Sequence, residues 1–398
     1  MKTTKEVVFL SGKRTAYGAF GGALKSQSAT DLGVVASKAA IEAAGVEPGD
    51  IDHTIFGNAS QTGGDAIYLA RHVSLRSDVP VAVPALTLNR LCGSGFQSIV
   101  SGAEQILLGQ ANYVLAGGTE SMSNAPFVAR KMRWGMRLGQ DEKLIDSLWE
   151  ALYDPYVELA MSGTAEKLGE QYGVTREECD EIGLRSQMTY KAAMESGFFG
   201  TEIVPTMVKK RREMVPFEVD EHPRLDASME SMAKLRPVFK KDGLVTAGNA
   251  SGICDGAAAV VVADGATARD RGLKPIARLI SWGITGCDPS IMGIGPAESS
   301  RKALAMAGLS LGDMDVVEVN EAFAAQYLAV EKELGLDRDK VNPNGGAIAI
   351  GHPLACSGTR ITATLIHELR RRGGRYGLGT ACIGGGQGIA VIVEALDE

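Results

Sequence analysis

Hydrophobic and polar positions follow two rhythms along this chain. Short, nearly unbroken apolar runs at Val7 to Leu10, Val114 to Leu115, Val316 to Val319 and Ile389 to Val393 predict buried strands. Apolar positions at helical spacing over Asp31 to Ala44 and Gly95 to Leu108 predict helices. Strands that alternate with helices place the chain in the α/β class, in a layered arrangement.

The rhythm is written twice. With a constant shift of 263 residues, positions 40 to 119 lie over positions 303 to 382 without a gap. Ala44-Gly45 falls on Ala307-Gly308, Gly49-Asp50 on Gly312-Asp313, Asp52 on Asp315, Leu91 on Leu354, and Ser94-Gly95 on Ser357-Gly358. An ungapped match of this length, with the same order of elements, argues for a duplicated unit. The copies differ in their reactive groups: Cys92 lies over Ala355, Cys382 over Thr119 and Asn320 over Gly57. A stretch of different character, residues 122 to 247, separates them and reads as an insertion on the first half. It holds the basic runs Arg130-Lys131-Met132-Arg133 and Lys209-Lys210-Arg211-Arg212. Such runs are commonly solvated surface; the functional alternative is contact with the phosphates of an anionic ligand.

Composition narrows the picture. The chain has 398 residues, 45% hydrophobic and 22% charged, the balance of a globular protein with a large shared core. A net charge of −7 gives no overall basic field to hold nucleic acid, and no apolar run reaches the length of a membrane span. Met1 to Leu10 shows neither a signal-peptide apolar region nor an Arg-rich transit helix. The six cysteines are scattered, with no CxxC pair, which points to free thiols in a reducing cytoplasm.

The candidate chemistry centres on Cys92, in Asn89-Arg90-Leu91-Cys92-Gly93-Ser94-Gly95. It stands where an apolar stretch turns into a helix, and a helix N-terminus can stabilise a thiolate. A small buried residue is the commoner fate of a cysteine. Three segments of the second half bear on that choice: Val319-Asn320-Glu321-Ala322-Phe323, Asn344 to Pro353 with His352, and Thr380-Ala381-Cys382-Ile383 followed by Gly384-Gly385-Gly386. Each follows an apolar run, where scaffolded functional loops are found. Metal spacing is absent, with no CxxC and no HExxH.

Taken together the segments resemble the thiolase family: LCGSG from Leu91, GGTESMS from Gly117 to Ser123, TAGNASG from Thr246 to Gly252, NEAF from Asn320, NGGAIAIGHP from Asn344 and CIGGGQG from Cys382. The resemblance covers essentially the whole chain. It implies two βαβαβαββ halves in an αβαβα layering, with core halves at 1–121 plus 248–272 and at 273–398, and a loop domain at 122–247. It implies that Cys92 is the acyl-accepting nucleophile, His352 the base for its thiol, and Cys382 the acid/base for the α-carbon of a second acyl-CoA. Backbone N–H groups at Cys92 and Gly384 would form one oxyanion hole; His352 and a water on Asn320 would form the other. Arg224, Ser251, Leu152 and Met161 match contacts to coenzyme A or the acyl end. No resident cofactor and no metal are implied, since coenzyme A thioesters are the substrates. A homo-oligomer is implied, with the segment 122 to 145 joining dimers into a tetramer; the basic run 130 to 137 would lie near the ligand or at that contact.

The expected reaction is the reversible condensation of two acetyl-CoA to acetoacetyl-CoA, with degradative cleavage of longer 3-ketoacyl-CoA as the alternative. Two departures bear on it. Ala160 stands where short-chain biosynthetic thiolases typically have His, and Cys356 follows the GHP loop, where it reads as a packing residue. A ketoacyl synthase would carry a second His in place of Cys382, a metal protein would show ligand spacing, and a silent lipid-carrier homologue would lack one of the four reactive residues.

Overall fold

The computed structural model describes residues 5–396; Met1 to Thr4 and the last two positions, parts of the two expected core halves, lie outside the described residues. Nine strands form one hydrogen-bonded path: β1 (Val7–Thr15), β2 (His53–Gly57), β3 (Ala85–Leu88), β4 (Tyr113–Ser121), β5 (Cys254–Asp264), β6 (Ala277–Gly286), β7 (Val316–Val319), β8 (Tyr376–Ile383) and β9 (Gln387–Ala395). Their order is β7-β8-β9-β6-β1-β5-β4-β2-β3. The first half supplies β1 to β5 and the second β6 to β9. Only a short antiparallel ladder, Val8 with Arg278 and Phe9 with Ala277, joins β1 to β6.

Helices cover this sheet in three groups. Helices α1 (Ala29–Ala44) and α2 (Leu69–Arg76) pack outside the first half. Helix α3 (Ser94–Leu107) and the later helix α8 (Leu354–Arg372) pack against each other between the halves. Helices α6 (Gly295–Ala307) and α7 (Ala324–Leu334) cover the second half. The layering is therefore the expected αβαβα, except that its two sheets share the β1–β6 edge. The central layer carries much of the core, where Phe96, Ile99, Ile361, Leu365, Val260 and Val391 meet out of solvent. Burying an aliphatic or aromatic side chain of this kind contributes about 1.5–3 kcal/mol.

The duplicated sequence folds twice with the same local devices. Helix α1 ends on Gly45 (φ 68°) and α6 on Gly308 (φ 67°), each a left-handed cap that costs glycine nothing sterically. The Asp52 carboxylate accepts from the N–H groups of Asn112 and Tyr113, at 2.7 and 3.0 Å. The Asp315 carboxylate accepts from those of Arg375 and Tyr376, at 2.7 and 3.0 Å. Each aspartate ties the turn before one strand to the start of the parallel strand beside it in the sheet.

Between β4 and β5 the chain leaves the sheet at Ser121 and returns at Cys254; Ser121 and Asp255 are partners in the ladder, so the excursion closes on itself. It contains α4 (Met161–Gln171), α5 (Arg176–Glu195) and a hairpin of Thr206–Lys210 with Glu213–Phe217 that carries the basic run 209 to 212 at its tip. Helix α5 starts on a Thr175 capping box with Glu178. The excursion is anchored by Arg14 of β1, which donates to Glu202 at 2.6 Å and to both Asp220 oxygens at 2.7 and 2.9 Å, all fully buried. Removing one partner of such a buried set typically costs about 3–5 kcal/mol. Among the described residues no helix is long and apolar enough to cross a membrane.

Candidate active site

An open cavity of about 780 Å³ lies where the excursion meets both halves. Cys92, His352, Cys382, Ser251, Leu152 and Met161 all line it. Cys92 sits in the tight turn Leu91–Gly93 just before α3, with Leu91 held at φ 46°. Cys382 is the penultimate residue of β8, and His352 immediately precedes Pro353 at the start of α8. The cavity is therefore bounded by the starts of the two central helices and the end of a second-half strand.

Each loop is pinned. Asn320 follows β7, and its N–H donates to Thr380 O at 2.9 Å beside β8. The NEAF segment runs against the TAGNASG segment through Ser251 N–H to Ala322 O (3.0 Å) and Ala324 N–H to Asn249 O (2.8 Å). His352 N–H donates to Gly252 O at 2.9 Å. Gly351 takes φ 106°, and a Cβ there would collide with the Cys254 sulfur, so only glycine lets the His352 loop pass. Glu321, buried, accepts from Ser186 Oγ at 2.7 Å and Asn342 Nδ2 at 2.7 Å, and so fixes the Asn320 loop from behind.

The polar contacts inside the site are few. Asn320 Nδ2 lies 3.3 Å from His352 Nε2, and His352 Nδ1 lies 2.6 Å from Ser357 Oγ. Asn320 Oδ1 is buried without a protein partner. A buried unpaired acceptor of this kind calls for a water or a substrate group. The backbone N–H groups of Gly384 and of Cys92 itself point at the Cys92 sulfur and favour its ionised form.

Those two N–H groups do not prevail. Burial pushes the Cys92 thiol up to about 11, with the Glu120 carboxyl adding to the shift. Burial thus works against the thiolate that the start of α3 beside Cys92 would favour. Burial, with Arg360 as a lesser cause, pushes His352 down to about 3. Cys382 is raised well above its ordinary range by burial and by the neighbouring Cys92. With two raised thiols and a lowered imidazole, all three groups rest uncharged at neutral pH. Carboxymethylation of Cys92 in the free protein is accordingly expected to accelerate steadily from about pH 7 to about pH 10. A rate that levels off below about pH 8 would show that the resting thiol is already ionised.

The other sequence candidates fall into two groups. Gly384 and Asn320 belong to the constellation through the contacts above. Arg224 does not: its side chain does not line the cavity, while its N–H donates to Gln187 Oε1 at 2.8 Å. Cys356 is buried with its sulfur 3.0 Å from the Tyr17 hydroxyl, behind the helix start. Cys179 and Cys254 are buried, and Cys287 is partly buried. Among the described residues no group of three or more His, Cys, Asp or Glu is placed to hold a metal ion.

The sequence reading missed Ser357 and Glu120. Glu120 is buried and accepts from Ala59 N–H (2.5 Å), Ser60 N–H (3.2 Å), the Ser60 hydroxyl and Ala355 N–H (3.3 Å). It thereby clamps the loop after β2 to the first turn of α8. Its only sequence signal was its place in GGTESMS. For Ser357 the signal was the repeat, which laid it over Ser94.

The chain matches the family model for the thiolase N-terminal domain over residues 7–266 and the thiolase C-terminal domain over residues 273–395. It is 55% identical to the mitochondrial 3-ketoacyl-CoA thiolase of Homo sapiens, covering 99% of this chain and 100% of that protein. It is 48% identical to an acetyl-CoA acetyltransferase of Syntrophomonas wolfei, covering 99% and 100%. A crystal structure of the human mitochondrial 3-ketoacyl-CoA thiolase in complex with CoA superposes with a TM-score of 0.96, at 55% identity and 98% coverage of both chains. These relatives overturn the cytoplasmic expectation, since the mammalian ones at 52–55% identity are mitochondrial by name. Free thiols report a reducing interior, and that does not single out the cytoplasm.

Proposed function

The chain belongs to the thiolase family, and from that membership we propose that it works chiefly as a 3-ketoacyl-CoA thiolase of broad chain length, cleaving its substrate with coenzyme A. The observation that carries this reading is the apolar wall beside Cys92. Met122, Leu148 and Leu354 form one cluster with Cys92 packed on it, and Met161, Trp149, Phe239 and Ala160 line the cavity. No imidazole stands at 160 to hold a short polar substrate. The greater identity to a 3-ketoacyl-CoA thiolase than to an acetyl-CoA acetyltransferase supports the same choice. Condensation of two acetyl-CoA, the reaction first expected, is the weaker reading.

The proposed roles follow the geometry. The Cys92 thiol gives its proton to His352 Nε2, and the sulfur attacks the 3-keto carbon. The tetrahedral oxyanion is met by the N–H groups of Cys92 and Gly384. Collapse breaks the bond between C2 and C3, leaving the acyl group on Cys92 and an acetyl-CoA enolate. The enolate oxygen is stabilised by His352 and by a water on the open Asn320 Oδ1, while Cys382 protonates the carbon. His352 passes the proton it took to the Cys382 thiolate; the coenzyme A thiol then gives its own proton to His352 and takes the acyl group, and the freed Cys92 thiolate recovers a proton from His352. One oxyanion donor is typically worth about 3 kcal/mol. No resident cofactor is needed, because the thioester itself activates the acyl group.

Coenzyme A is the proposed partner. Its reactive end would enter past Ser251, Leu152 and Met161; for Arg224, which does not line the cavity, a contact with the phosphate end is proposed. A homo-oligomer is also proposed. Met132, Trp134 and Leu138 are exposed on the segment 122 to 145, Trp134 at 88%, and β3 leaves an open sheet edge. A monomeric mass by light scattering would end that proposal.

The deciding measurement is kcat/KM over saturated 3-ketoacyl-CoA substrates from four carbons upward. Each added CH2 that is buried contributes up to about 0.8 kcal/mol, about fourfold. Medium chains are therefore expected to match or exceed acetoacetyl-CoA. A sharp preference for four carbons would return the reading to acetyl-CoA acetyltransferase.

A further inference from the structure

We propose that Ser357 is a positioning residue that holds His352 in one tautomer, with the proton on Nδ1 and the lone pair of Nε2 facing the cavity. This rests on the reading of His352 as the base for Cys92.

The contact is short and enclosed. Ser357 Oγ lies 2.6 Å from His352 Nδ1; Ser357 is fully buried and His352 is 6% exposed. A neutral imidazole donates from one nitrogen and accepts at the other, so the partner of one sets the role of the other. Which way the proton lies depends on where the serine hydroxyl spends its own hydrogen.

The duplicated half supplies the comparison. Ser94 occupies the equivalent place in the first turn of α3. Its hydroxyl donates to Leu91 O at 2.7 Å and accepts from Arg90 N–H at 2.8 Å. With the shift of 263, Arg90 falls on Pro353. Proline has no N–H. The donor that serves Ser94 is therefore missing in the second half, while an acceptor is retained: Ser357 Oγ donates to Pro353 O at 3.3 Å. With its hydrogen directed to that carbonyl, the oxygen accepts from Nδ1–H. On the other side of the ring, Asn320 Nδ2 lies 3.3 Å from Nε2, a donor toward a lone pair. Both neighbours agree on the same tautomer.

The alternative tautomer would be unproductive. With its proton on Nε2, His352 could not receive the Cys92 proton. In the held form the balance is simple. The S–H bond of Cys92 breaks, an N–H bond forms at Nε2, and the imidazolium then donates to Ser357 through Nδ1 and to the developing oxyanion through Nε2. Burial, and to a lesser extent Arg360, disfavour a lasting imidazolium, so the proton is passed on to the Cys382 thiolate left when Cys382 protonates the carbon.

The test compares Ser357→Ala, Ser357→Thr and Ser357→Val, with His352→Ala alongside. Thr and Val have nearly the same shape, so only the hydroxyl distinguishes them, and shared crowding affects both. Acylation of Cys92 by acetyl-CoA is followed by rapid-quench intact mass, and kcat and KM are measured for thiolysis. Ser357→Ala and Ser357→Val are expected to slow acylation by roughly 10- to 100-fold, a part of the roughly 10²- to 10⁴-fold that a positioned base supplies, with KM for coenzyme A within about twofold. Ser357→Thr is expected to recover to within about fivefold of the parent. A rise in KM with kcat unchanged, or equal rates for the Thr and Val variants, would overturn the proposal. If His352→Ala also acylates at the parent rate, the base assignment itself fails; if only the Ser357 variants do, His352 keeps its role and Ser357 loses its own.

Discussion

Cys92→Ser is expected to lose turnover by roughly 10³- to 10⁴-fold while remaining folded. The substitution changes little in the turn Leu91–Gly93, because Cys92 is only partly buried and its backbone does the turning. What changes is the nucleophile. A thiol raised to about 11 can still be ionised by a partner during reaction. A serine hydroxyl is a far weaker acid and would be raised further by the same burial. The acyl product would also differ: a thioester is exchanged for a thioester at nearly equal energy, whereas an oxygen ester would hold the acyl group more firmly. Intact mass decides the matter. The parent should gain about 42 Da from acetyl-CoA, located on Cys92, and the variant should gain nothing at the rate of turnover. A label on Cys382 or Cys356 in the parent would mean that the nucleophile has been misassigned.

Cys382→Ala is expected to separate the two halves of the reaction. The variant should still acylate on Cys92 from acetyl-CoA, within about tenfold of the parent, yet lose roughly 10²- to 10⁴-fold in the carbon–carbon step. Cys382 is fully buried at the end of β8, and Cys92 is among the causes that raise it. Two thiols that oppose each other's charge do not ionise together. Cys92 must pass through its thiolate to attack; once it has become a neutral thioester, that thiolate no longer opposes ionisation of Cys382. The order of events is thus built into the pair. Exchange of the α-protons of acetyl-CoA with deuterated solvent should vanish in the variant while the acyl-enzyme mass remains. Exchange at the parent rate would show that another group moves that proton.

Much of the scaffold was legible in the chain because it obeys simple periodicity. The runs at Val7 to Leu10 and Val316 to Val319 are strands, and the Asp31 to Ala44 and Gly95 to Leu108 patterns match α1 and α3 within two residues at each end. The repeat was legible because Gly45, Gly308, Asp52 and Asp315 do backbone work that few other residue types can do. Sequence could name Cys92, His352, Cys382 and Asn320 one motif at a time, but not the apolar wall beside them, because Met122, Leu148 and Leu354 come from three separate segments. Nor could it anticipate the charge state of the site. A helix N-terminus is visible in sequence; the depth of burial that overrides it is a property of the packed whole. Ser357 was in plain view as the partner of Ser94, and its role emerges only when Pro353 is seen to lack the N–H that Arg90 provides.

The matched carboxylates of Asp52 and Asp315 are indifferent to chemistry and stand in both copies. The reactive side chains do not: the thiol proposed to take the acyl group stands in one copy, while the imidazole, the amide and the second thiol stand in the other. Whatever a single ancestral unit could do alone, its two descendants have divided the labour between them. Neither copy can be spared, since each holds part of the proposed chemistry and one side of the shared central core.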